Sequence, residues 1–247
     1  MNVTTGDMKL CWDKFDFKCV LGYVGNKGRM GLLEKEFSRV GLEGYQILWN
    51  FDSVFVETLF ANVRMKRNRK LPIFNNALGH YRMVKTAYQL GCRNALLMED
   101  DIRFLKDIER LHAILEAIPE DYELAMLDTV KKGDERSGTA KVNDHWSVLD
   151  GATSAACYAI DRMAMRRIIQ VYESTVTEAD GHLYPSDTFF RKEIMGLPKP
   201  AAVTKMYYAP LNAARQVKIP DSATNTNYDR WQNFYEVRGC RRELYGD

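Results

Sequence analysis

The feature that most constrains the fold of this chain is a short apolar run that leads directly into three consecutive acids. Residues 95–98 (ALLM) are bounded by polar residues, a pattern typical of a buried strand in a parallel sheet. Glu99, Asp100 and Asp101 follow where such a strand ends, and open α/β sheets bind their ligands there. Acids this close repel one another unless a cation neutralises them, and Mg²⁺ and Mn²⁺ prefer carboxylate oxygen. The pattern predicts a divalent-cation site, with a solvated acidic turn as the alternative.

Strand-like and helix-like segments alternate along the rest of the chain. Further strands are predicted at 17–24, 45–49, 124–127, 155–160 and 201–208, and helical spacing of apolar residues occurs at 30–40, 76–89, 108–118, 163–172 and 186–195. This alternation predicts a single α/β domain with a mostly parallel central sheet flanked by helices. We expect an N-terminal extension at 1–16, the domain at 17–216, and a packed or interfacial C-terminal tail at 217–247.

Composition narrows the class of protein. A formal net charge of +2 over 247 residues gives no global reason to expect a nucleic-acid partner. The five cysteines are odd in number and form no C-x-x-C pair, which argues against a zinc site or a disulfide framework. Reduced thiols favour a cytoplasmic location. No apolar stretch reaches the length of a transmembrane helix, and the first sixteen residues do not have the pattern of a signal peptide.

Two short blocks occur about one helix apart. Residues 76–80 (NALGH) precede residues 96–102 (LLMEDDI). They resemble the G-C-x-x-S-H and L-I-L-E-D-D-V motifs of glycosyltransferase family 25, which includes lipopolysaccharide-modifying galactosyltransferases and collagen galactosyltransferases. Gly79 stands where that family usually has serine, and Asn76 stands at its usual first glycine. The first of the two matches is therefore partial.

Three later blocks also resemble this family. Residues 155–164 (AACYAIDRMA) are similar to its A-Y-x-I-S-R-x-G-A strand and helix, and residues 184–187 (YPSD) are similar to its P-V-D block. Residues 209–211 (APL), together with Gln216, are similar to its closing P-x-x-x-Q. The order and spacing of the blocks carry the resemblance, rather than any one of them.

The resemblance implies a GT-A (Rossmann-like) fold and inverting transfer of a hexose, galactose or glucose. The donor would be a nucleotide diphosphate sugar, with UDP-hexose expected, and the acceptor a glycan or glycolipid such as lipooligosaccharide. A manganese or magnesium ion would neutralise the charge that develops on the leaving diphosphate. By the pattern of related acidic motifs, we expect Asp101 to ligate the metal and Asp100 to contact the ribose or a bridging water. Glu99 is expected to brace these two acids, and it belongs with Asp101 to the expected metal site and with Asp100 to the expected donor site.

Inversion in one displacement needs a general base that takes the proton of the acceptor hydroxyl. Asp187, in the YPSD block, is the candidate for this role. An aspartate near the start of a helix is alternatively an N-cap, which is worth about 1 kcal/mol. Asp128, Asp150 and Glu193 are lesser candidates for the same role.

Three basic residues are candidates for contacts with the nucleotide sugar. Arg29 follows the first strand, where the resembling family also carries an arginine, and its planar fork suits a phosphate or a nucleobase edge. The alternative is an exposed arginine at the start of a surface helix. His80 is placed to reach the acidic cluster, although a lone histidine commonly orders a turn through hydrogen bonds. Arg215 is a candidate for a diphosphate or acceptor contact.

Two other functions fit the same features. A sugar nucleotidyltransferase uses the same kind of sheet, and Gly22, Gly25 and Gly28 resemble part of its glycine-rich loop without the strict spacing. An inactive glycan- or nucleotide-binding module would keep the acids for stability.

The basic run at 64–70 and the aromatic tail are most simply a solvated loop and a packed segment. Peripheral contact with the anionic inner face of a membrane is the alternative for both.

Overall fold

A computed structural model describes residues 11–23, 27–51, 71–131, 140–149, 152–177, 194, 203–211 and 213–216. The elements in chain order are β1 (Phe17–Gly22), α1 (Lys27–Val40), β2 (Gln46–Trp49), α2 (Leu71–Gln89), β3 (Asn94–Glu99), β4 (Ile102–Phe104), α3 (Ile108–Glu116), β5 (Leu124–Met126), β6 (Val130–Lys131), β7 (Ser147–Val148), β8 (Ala152–Thr153), β9 (Cys157–Asp161), α4 (Arg162–Thr177), β10 (Met206–Tyr208) and β11 (Ala214–Gln216). A seven-stranded sheet has the order β2-β1-β3-β9-β5-β10-β7, and β11-β4 and β6-β8 form two-stranded sheets.

The direction of the strands confirms the predicted fold class. β1 pairs in parallel with both β2 and β3, and β5 pairs in parallel with β10. β9 lies between β3 and β5 and is antiparallel to both, so β3 and β5 run the same way. β7 is antiparallel to β10 at the edge. The protein is thus a single α/β domain whose central sheet is mostly parallel, with two strands of opposite direction that strand-helix alternation does not reveal.

Helices cover both faces of the sheet. Successive side chains of a strand point to opposite faces of the sheet, so Val20 and Met98 pack in one apolar core with α1 and α3. The same alternation sends Leu21 and Leu97 into a second core, which they share with α2 and α4. Because β1 and β3 are buried on both faces, residues 95–98 of β3 form a continuous apolar run, and β1 is interrupted only by Lys18 and does not alternate.

Residues ahead of β1 belong to the first of these cores. Cys11, Trp12 and Phe15 are buried. The indole Nε1 of Trp12 donates to the carbonyl of Val40 at 2.8 Å, and its ring centroid lies 5.2 Å from that of Phe104. Core packing therefore begins before residue 17, where the sequence places the start of the domain.

The end of α2 agrees with its sequence signal, and its start does not. Gly91 has a φ of 81° immediately after α2, the left-handed conformation that glycine adopts at helix ends. α2 itself begins at Leu71, earlier than the predicted residue 76. The predicted helix at 186–195 lies outside the described residues except for Ile194.

In the described ranges, no helix combines the length and apolar character that crossing a membrane requires. The described cysteines, at 11, 19, 92 and 157, carry free thiols.

Candidate functional site

The three acids lie at the carboxyl end of β3, and the two aspartates among them are buried. Glu99 is the last residue of the strand, and Asp100 and Asp101 form the turn that leads into β4. Asp100 is 4% exposed and Asp101 is 6% exposed. The alternative of a solvated acidic turn is therefore wrong, because neither aspartate is open to bulk water.

The acids lie at a switch point of the sheet. β2 and β3 flank β1 on opposite sides, and the helices that follow β1 and β2 pack in different cores. The carboxyl ends of β1 and β3 therefore lie at the position where open α/β sheets bind ligands. The backbone N–H of Tyr23, just after β1, donates to Oδ2 of Asp100 at 2.8 Å. This bond ties the two strand ends together.

Arg29 lies in the first turns of α1 and points into the acidic cluster. Its Nη1 donates to Oδ1 of Asp100 at 2.8 Å, and its Nη2 donates to Oδ2 of Asp101 at 3.4 Å. The residue is 5% exposed, so the alternative of an exposed surface arginine is wrong. The guanidinium neutralises part of the negative charge that three neighbouring carboxylates bring.

Glu99 is held by donors on both oxygens. Nδ2 of Asn76 and Nε2 of His80 each lie 3.0 Å from Oε1. Nε2 of Gln216 donates to Oε2 at 3.0 Å and also lies 3.1 Å from Oδ2 of Asp101. Three blocks that are distant in sequence, at 76–80, 96–102 and around 216, therefore meet at one carboxylate.

His80 bridges Glu99 and Tyr158. Its Nδ1 lies 3.1 Å from the hydroxyl of Tyr158 on β9, and the two rings are stacked with centroids 5.7 Å apart. An ionised carboxylate only accepts hydrogen bonds, so Nε2 of His80 donates to Glu99. His80 thus orients a carboxylate of the cluster, as expected of a residue that reaches the acids.

The acids have different pKa values because their surroundings differ. Burial opposes ionisation of Glu99, but the hydrogen bonds from His80 and Asn76, together with attraction to His80 and Arg29, outweigh it and lower the pKa of Glu99. Burial raises the pKa of Asp100, against the attraction of Arg29. Burial and the charge of Glu99 raise the pKa of Asp101 well above its ordinary value. Asp101 is therefore the carboxylate with most to gain from an added cation.

One oxygen of the cluster lacks a hydrogen-bond partner. Oδ1 of Asp101 is buried, and nothing in the described part of the chain donates to it. Its Oδ2 is held by Arg29 and Gln216, so the orientation of the carboxylate is set and Oδ1 is left over. A buried carboxyl oxygen without a donor fits a hard divalent cation, which favours the ionised form of the acid. The oxygens of Glu99 are occupied by donors, which suits support of the site rather than direct ligation.

Asp128 is a further buried carboxyl at this edge of the sheet. It follows β5, is fully buried, and its Oδ2 accepts from Oγ of Ser154 at 2.7 Å. Ser154 has a φ of 150°, a backbone conformation that L residues rarely adopt. Burial raises the pKa of Asp128 to about 7, with a smaller contribution from the charge of Glu99 and an opposing one from Arg215. Arg215 lies on β11 opposite Arg103 of β4.

The structure brings together the three predicted acids, Arg29 and His80, and it adds supporting residues that the sequence does not predict. Asn76 departs from the motif that residues 76–80 resemble, so the resemblance predicts no role for its contact with Glu99. No sequence signal points to Tyr23, Ser154 or Tyr158, because their roles depend on how β1 and β9 flank β3. Asp187, Asp150 and Glu193 lie outside the described residues, as do the basic run at 64–70 and the tail at 217–247.

Comparisons with known proteins find similarity only at the level of whole structures. No protein-family model and no curated protein matches the sequence. A mannose-1-phosphate geranyltransferase from Thermus thermophilus aligns with a TM-score of 0.42 at 12% identity, covering 78% of this chain and 73% of that one. A glycosyltransferase involved in glycosylation of the major capsid of PBCV-1 aligns with a TM-score of 0.44 at 10% identity, covering 90% of this chain and 100% of that one.

A third similar structure is the inositol-1-phosphate CTP transferase from T. maritima, with a TM-score of 0.42 at 11% identity. The alignment covers 89% of this chain and 96% of that one. Scores and identities this low assign neither a family nor an activity to the chain. Membership of glycosyltransferase family 25 stays a prediction that depends on the sequence blocks.

Proposed function

We propose that this protein is a metal-dependent transferase that acts on nucleotide diphosphate sugars. Within that class, we propose an inverting glycosyltransferase with a GT-A fold that moves a hexose from UDP-hexose to a glycan acceptor such as lipooligosaccharide. The observation that carries the proposal is the unpaired, buried Oδ1 of Asp101 within a cluster whose other oxygens are largely held by donors. Its position at the carboxyl edge of a switch-point strand is where nucleotides bind to open sheets.

Asp101 would hold manganese or magnesium through Oδ1. When bound, such an ion supplies positive charge to the diphosphate that leaves the sugar. The protein's own part is orientation: Gln216 and Arg29 hold Oδ2 of Asp101, so Oδ1 has a fixed direction. A single carboxylate oxygen suffices for a magnesium-type site, because substrate phosphates and waters complete the coordination.

Asp100 and Arg29 would shape the donor pocket beside this site. The bonds from Tyr23 and Arg29 hold both oxygens of Asp100, which fixes the orientation of this acid at the carboxyl ends of β1 and β3. A ribose hydroxyl donates to an oriented carboxylate of this kind at little cost in reorganisation. Because the guanidinium of Arg29 is turned toward two acids, we assign it a positioning role in place of the phosphate contact expected from sequence.

The general base is proposed to be Asp187, which lies outside the described residues. Asp128 fits the role less well, because its carboxyl is fully buried and accepts from Ser154. A base has to reach the acceptor hydroxyl directly or through one water. Asp128 instead suits a supporting role beneath the site.

The glycines that resembled a nucleotidyltransferase loop have another explanation at one position. A Cβ added at Gly22 would lie 2.8 Å from Cε3 of Trp49, so packing of β1 against β2 requires glycine there. Sugar nucleotidyl transfer would nevertheless use the same acids for the same charge neutralisation. The two reactions differ in their products, which makes them separable by experiment.

The test is turnover of nucleotide sugars by the full chain. The protein is incubated with UDP-galactose or UDP-glucose in the presence of manganese, magnesium or chelator. The release of UDP and the transfer of the sugar to water or to a glycan are measured. We expect metal-dependent release that Asp101→Asn abolishes and that Asp144→Asn, at an exposed acid, leaves intact.

Each contrary result selects another function. Pyrophosphate released from UTP and a sugar phosphate indicates nucleotidyl transfer. Metal-dependent binding of UDP without any turnover indicates an inactive module. Metal-independent turnover, or full activity of Asp101→Asn, contradicts the proposed site. If Asp187→Asn transfers sugar at the wild-type rate, another residue is the base.

A further inference from the structure

A second set of metal-ligating side chains lies outside the acidic cluster. The Sγ of Cys11, an imidazole nitrogen of His112 and a carboxylate oxygen of Glu116 all lie within 4.8 Å of one another. His112 and Glu116 are four residues apart on α3, which puts them on the same face of the helix. Cys11 reaches that face from the segment ahead of β1. We propose that these three residues form a site for a borderline divalent transition metal, with zinc as the expected occupant.

The chemistry of the set selects the class of metal. A thiolate and an imidazole are ligands that zinc and cobalt prefer, whereas magnesium, manganese and calcium prefer oxygen. Three protein ligands leave one position of a tetrahedral site for water. This set is therefore distinct in its preference from Glu99, Asp100 and Asp101, which offer oxygen alone.

Hydrogen bonds already connect Cys11 to the helix that carries His112 and Glu116. The Cys11 thiol donates to Oε1 of Glu116 at 2.8 Å and lies 4.0 Å from the backbone carbonyl of His112. Cys11 is fully buried, His112 is half-buried and Glu116 is exposed. A metal ion can thus enter from the solvent side at Glu116 and meet the thiol at the inner end.

Metal binding at this site exchanges a proton for the ion. Burial, and next the hydrogen bond to Glu116, raise the pKa of Cys11 to about 12, so the metal-free residue is a thiol at neutral pH. Binding forms the metal–sulfur bond and releases the thiol proton to solvent. Replacing a proton by a divalent ion adds one positive charge to the site. The ammonium of Lys14, which donates to the carbonyl of Leu115 and interacts with Glu116 and Cys11, repels that charge.

Such an ion would connect segments that are far apart in sequence. Cys11 is 101 residues from His112 and 105 from Glu116. A metal bound only by the folded chain stabilises it in proportion to the logarithm of the metal concentration over its dissociation constant. The absence of a C-x-x-C pair excludes only those zinc sites whose ligands are close in sequence. Cys11, His112 and Glu116 are distant in sequence, and the fold brings them together.

The experiment uses cobalt as a spectroscopic probe of the full chain after treatment with chelator. We expect one equivalent of Co²⁺ to produce the near-ultraviolet charge-transfer band of a cobalt–thiolate bond, and the visible bands of four-coordinate cobalt. Cys11→Ser is expected to lose the charge-transfer band. Cys92→Ser, which removes a half-buried thiol elsewhere, and Asp101→Asn, which alters the acidic cluster, are expected to keep it.

Variants at the helix surface keep the test decisive if Cys11→Ser does not fold. His112→Ala and Glu116→Gln are each expected to weaken cobalt binding by about tenfold or more, since even outer partners of metal ligands have effects of that size. Lys14→Met is expected to tighten it. Zinc should raise the melting temperature of the wild type and leave that of His112→Ala unchanged. Absence of the thiolate band in folded wild type, or its persistence in Cys11→Ser, overturns the proposal whether or not the protein turns over sugars.

Discussion

Nε2 of Gln216 lies 3.0 Å from Oε2 of Glu99, although 117 residues separate the two along the chain. The same nitrogen lies 3.1 Å from Oδ2 of Asp101. A neutral amide placed between two carboxylates satisfies both without adding a charge that would oppose a metal ion. The final described strand therefore contributes to the acidic cluster directly, and Gln216 is a supporting residue of the proposed metal site.

Replacing this amide by an acid of the same shape tests that relationship. Gln216→Glu puts a further carboxylate beside Glu99 and Asp101 and removes a donor from both. We expect the metal-free variant to lose about 1–3 kcal/mol of unfolding free energy, the range for losing a hydrogen bond to a charged group. Manganese should recover much of that loss, because added carboxylate strengthens attraction for the ion. Urea unfolding with chelator and with manganese measures both effects.

The matched control is Gln170→Glu on the exposed face of α4. The same chemical change there is expected to alter the unfolding free energy by less than about 0.5 kcal/mol, with no response to manganese. Equal losses at positions 216 and 170 would mean that the amide of Gln216 has no special part in the cluster.

Gly79 is a second position where side-chain chemistry can be tested. A Cβ at this residue of α2 would lie 2.5 Å from Oδ1 of Asn50 and 2.5 Å from Cδ1 of Leu21. We therefore expect Gly79→Ala to destabilise the fold by about 1–3 kcal/mol through overpacking, although alanine is the better helix former.

Gly31→Ala is the control for helix propensity. Gly31 lies inside α1, and a Cβ there would have no atom within 4 Å. The substitution is expected to stabilise the protein by up to about 1 kcal/mol, because glycine is the weaker helix former. Opposite signs in thermal unfolding at the two glycines support the packing explanation, and stabilisation at both positions contradicts it.

Asp128 makes stability depend on pH. Its folded-state pKa of about 7 lies above the ordinary value of 3.8, so the folded protein binds the proton more tightly than the unfolded chain. This contribution to stability is complete below about pH 3.8, falls as the pH rises toward about 7, and is lost above it. The largest loss that such a shift allows is roughly 4 kcal/mol. Asp128→Asn keeps an acceptor for Ser154 and should remove this part of the pH dependence.

The measurement is urea unfolding of wild type and Asp128→Asn between pH 4 and pH 8 with chelator present. The difference between their unfolding free energies should change steadily in favour of the variant as the pH rises. Asp144→Asn is the control, because the hydrogen bond from Lys141 lowers the pKa of this exposed acid and any slope has the opposite sign. A difference between wild type and Asp128→Asn that is constant with pH would contradict the raised pKa.

Local patterns were sufficient to predict the fold class and the location of the acids. The run at 95–98 is short, apolar and followed by charged residues. All of these features can be read from residues that are adjacent in the sequence. The same holds for the end of α2, where Gly91 takes the positive φ that its residue type favours. The direction of β9 was not predictable in this way, because strand direction depends on how the connecting segments cross the sheet.

The supporting contacts were the least predictable part of the site. Glu99 is held by residues from α2 and β11, and Asp128 by Ser154, which are pairings between segments 19 to 117 residues apart. Nothing in the local sequence of Tyr158 distinguishes a partner of His80 from an ordinary core tyrosine. The Cys11 set has the same origin, since its ligands become neighbours only when the segment before β1 packs on α3.

The final prediction concerns the buried guanidinium of Arg29. Arg29→Met preserves the length and apolar stem of the side chain but leaves Asp100 and Asp101 without their cation, and breaking a buried ion pair in this way costs about 3–5 kcal/mol. The loss should be smaller at acid pH, because both carboxyls already have raised pKa values and take up protons readily. Manganese should also reduce it, since a dication can replace the missing charge.

Arg93→Met is the comparison that isolates burial. Arg93 also pairs with an aspartate, Asp16, through two nitrogens at 3.1 and 3.0 Å, but its side chain is 86% exposed. Water solvates both partners of that pair when it is broken, so little change in stability is expected at any pH or metal concentration. Urea unfolding of the two variants, at neutral and acid pH and with and without manganese, compares them directly. If Arg29→Met is no less stable than Arg93→Met without metal, then the acids at the end of β3 do not depend on Arg29, and the positioning role assigned to it is wrong.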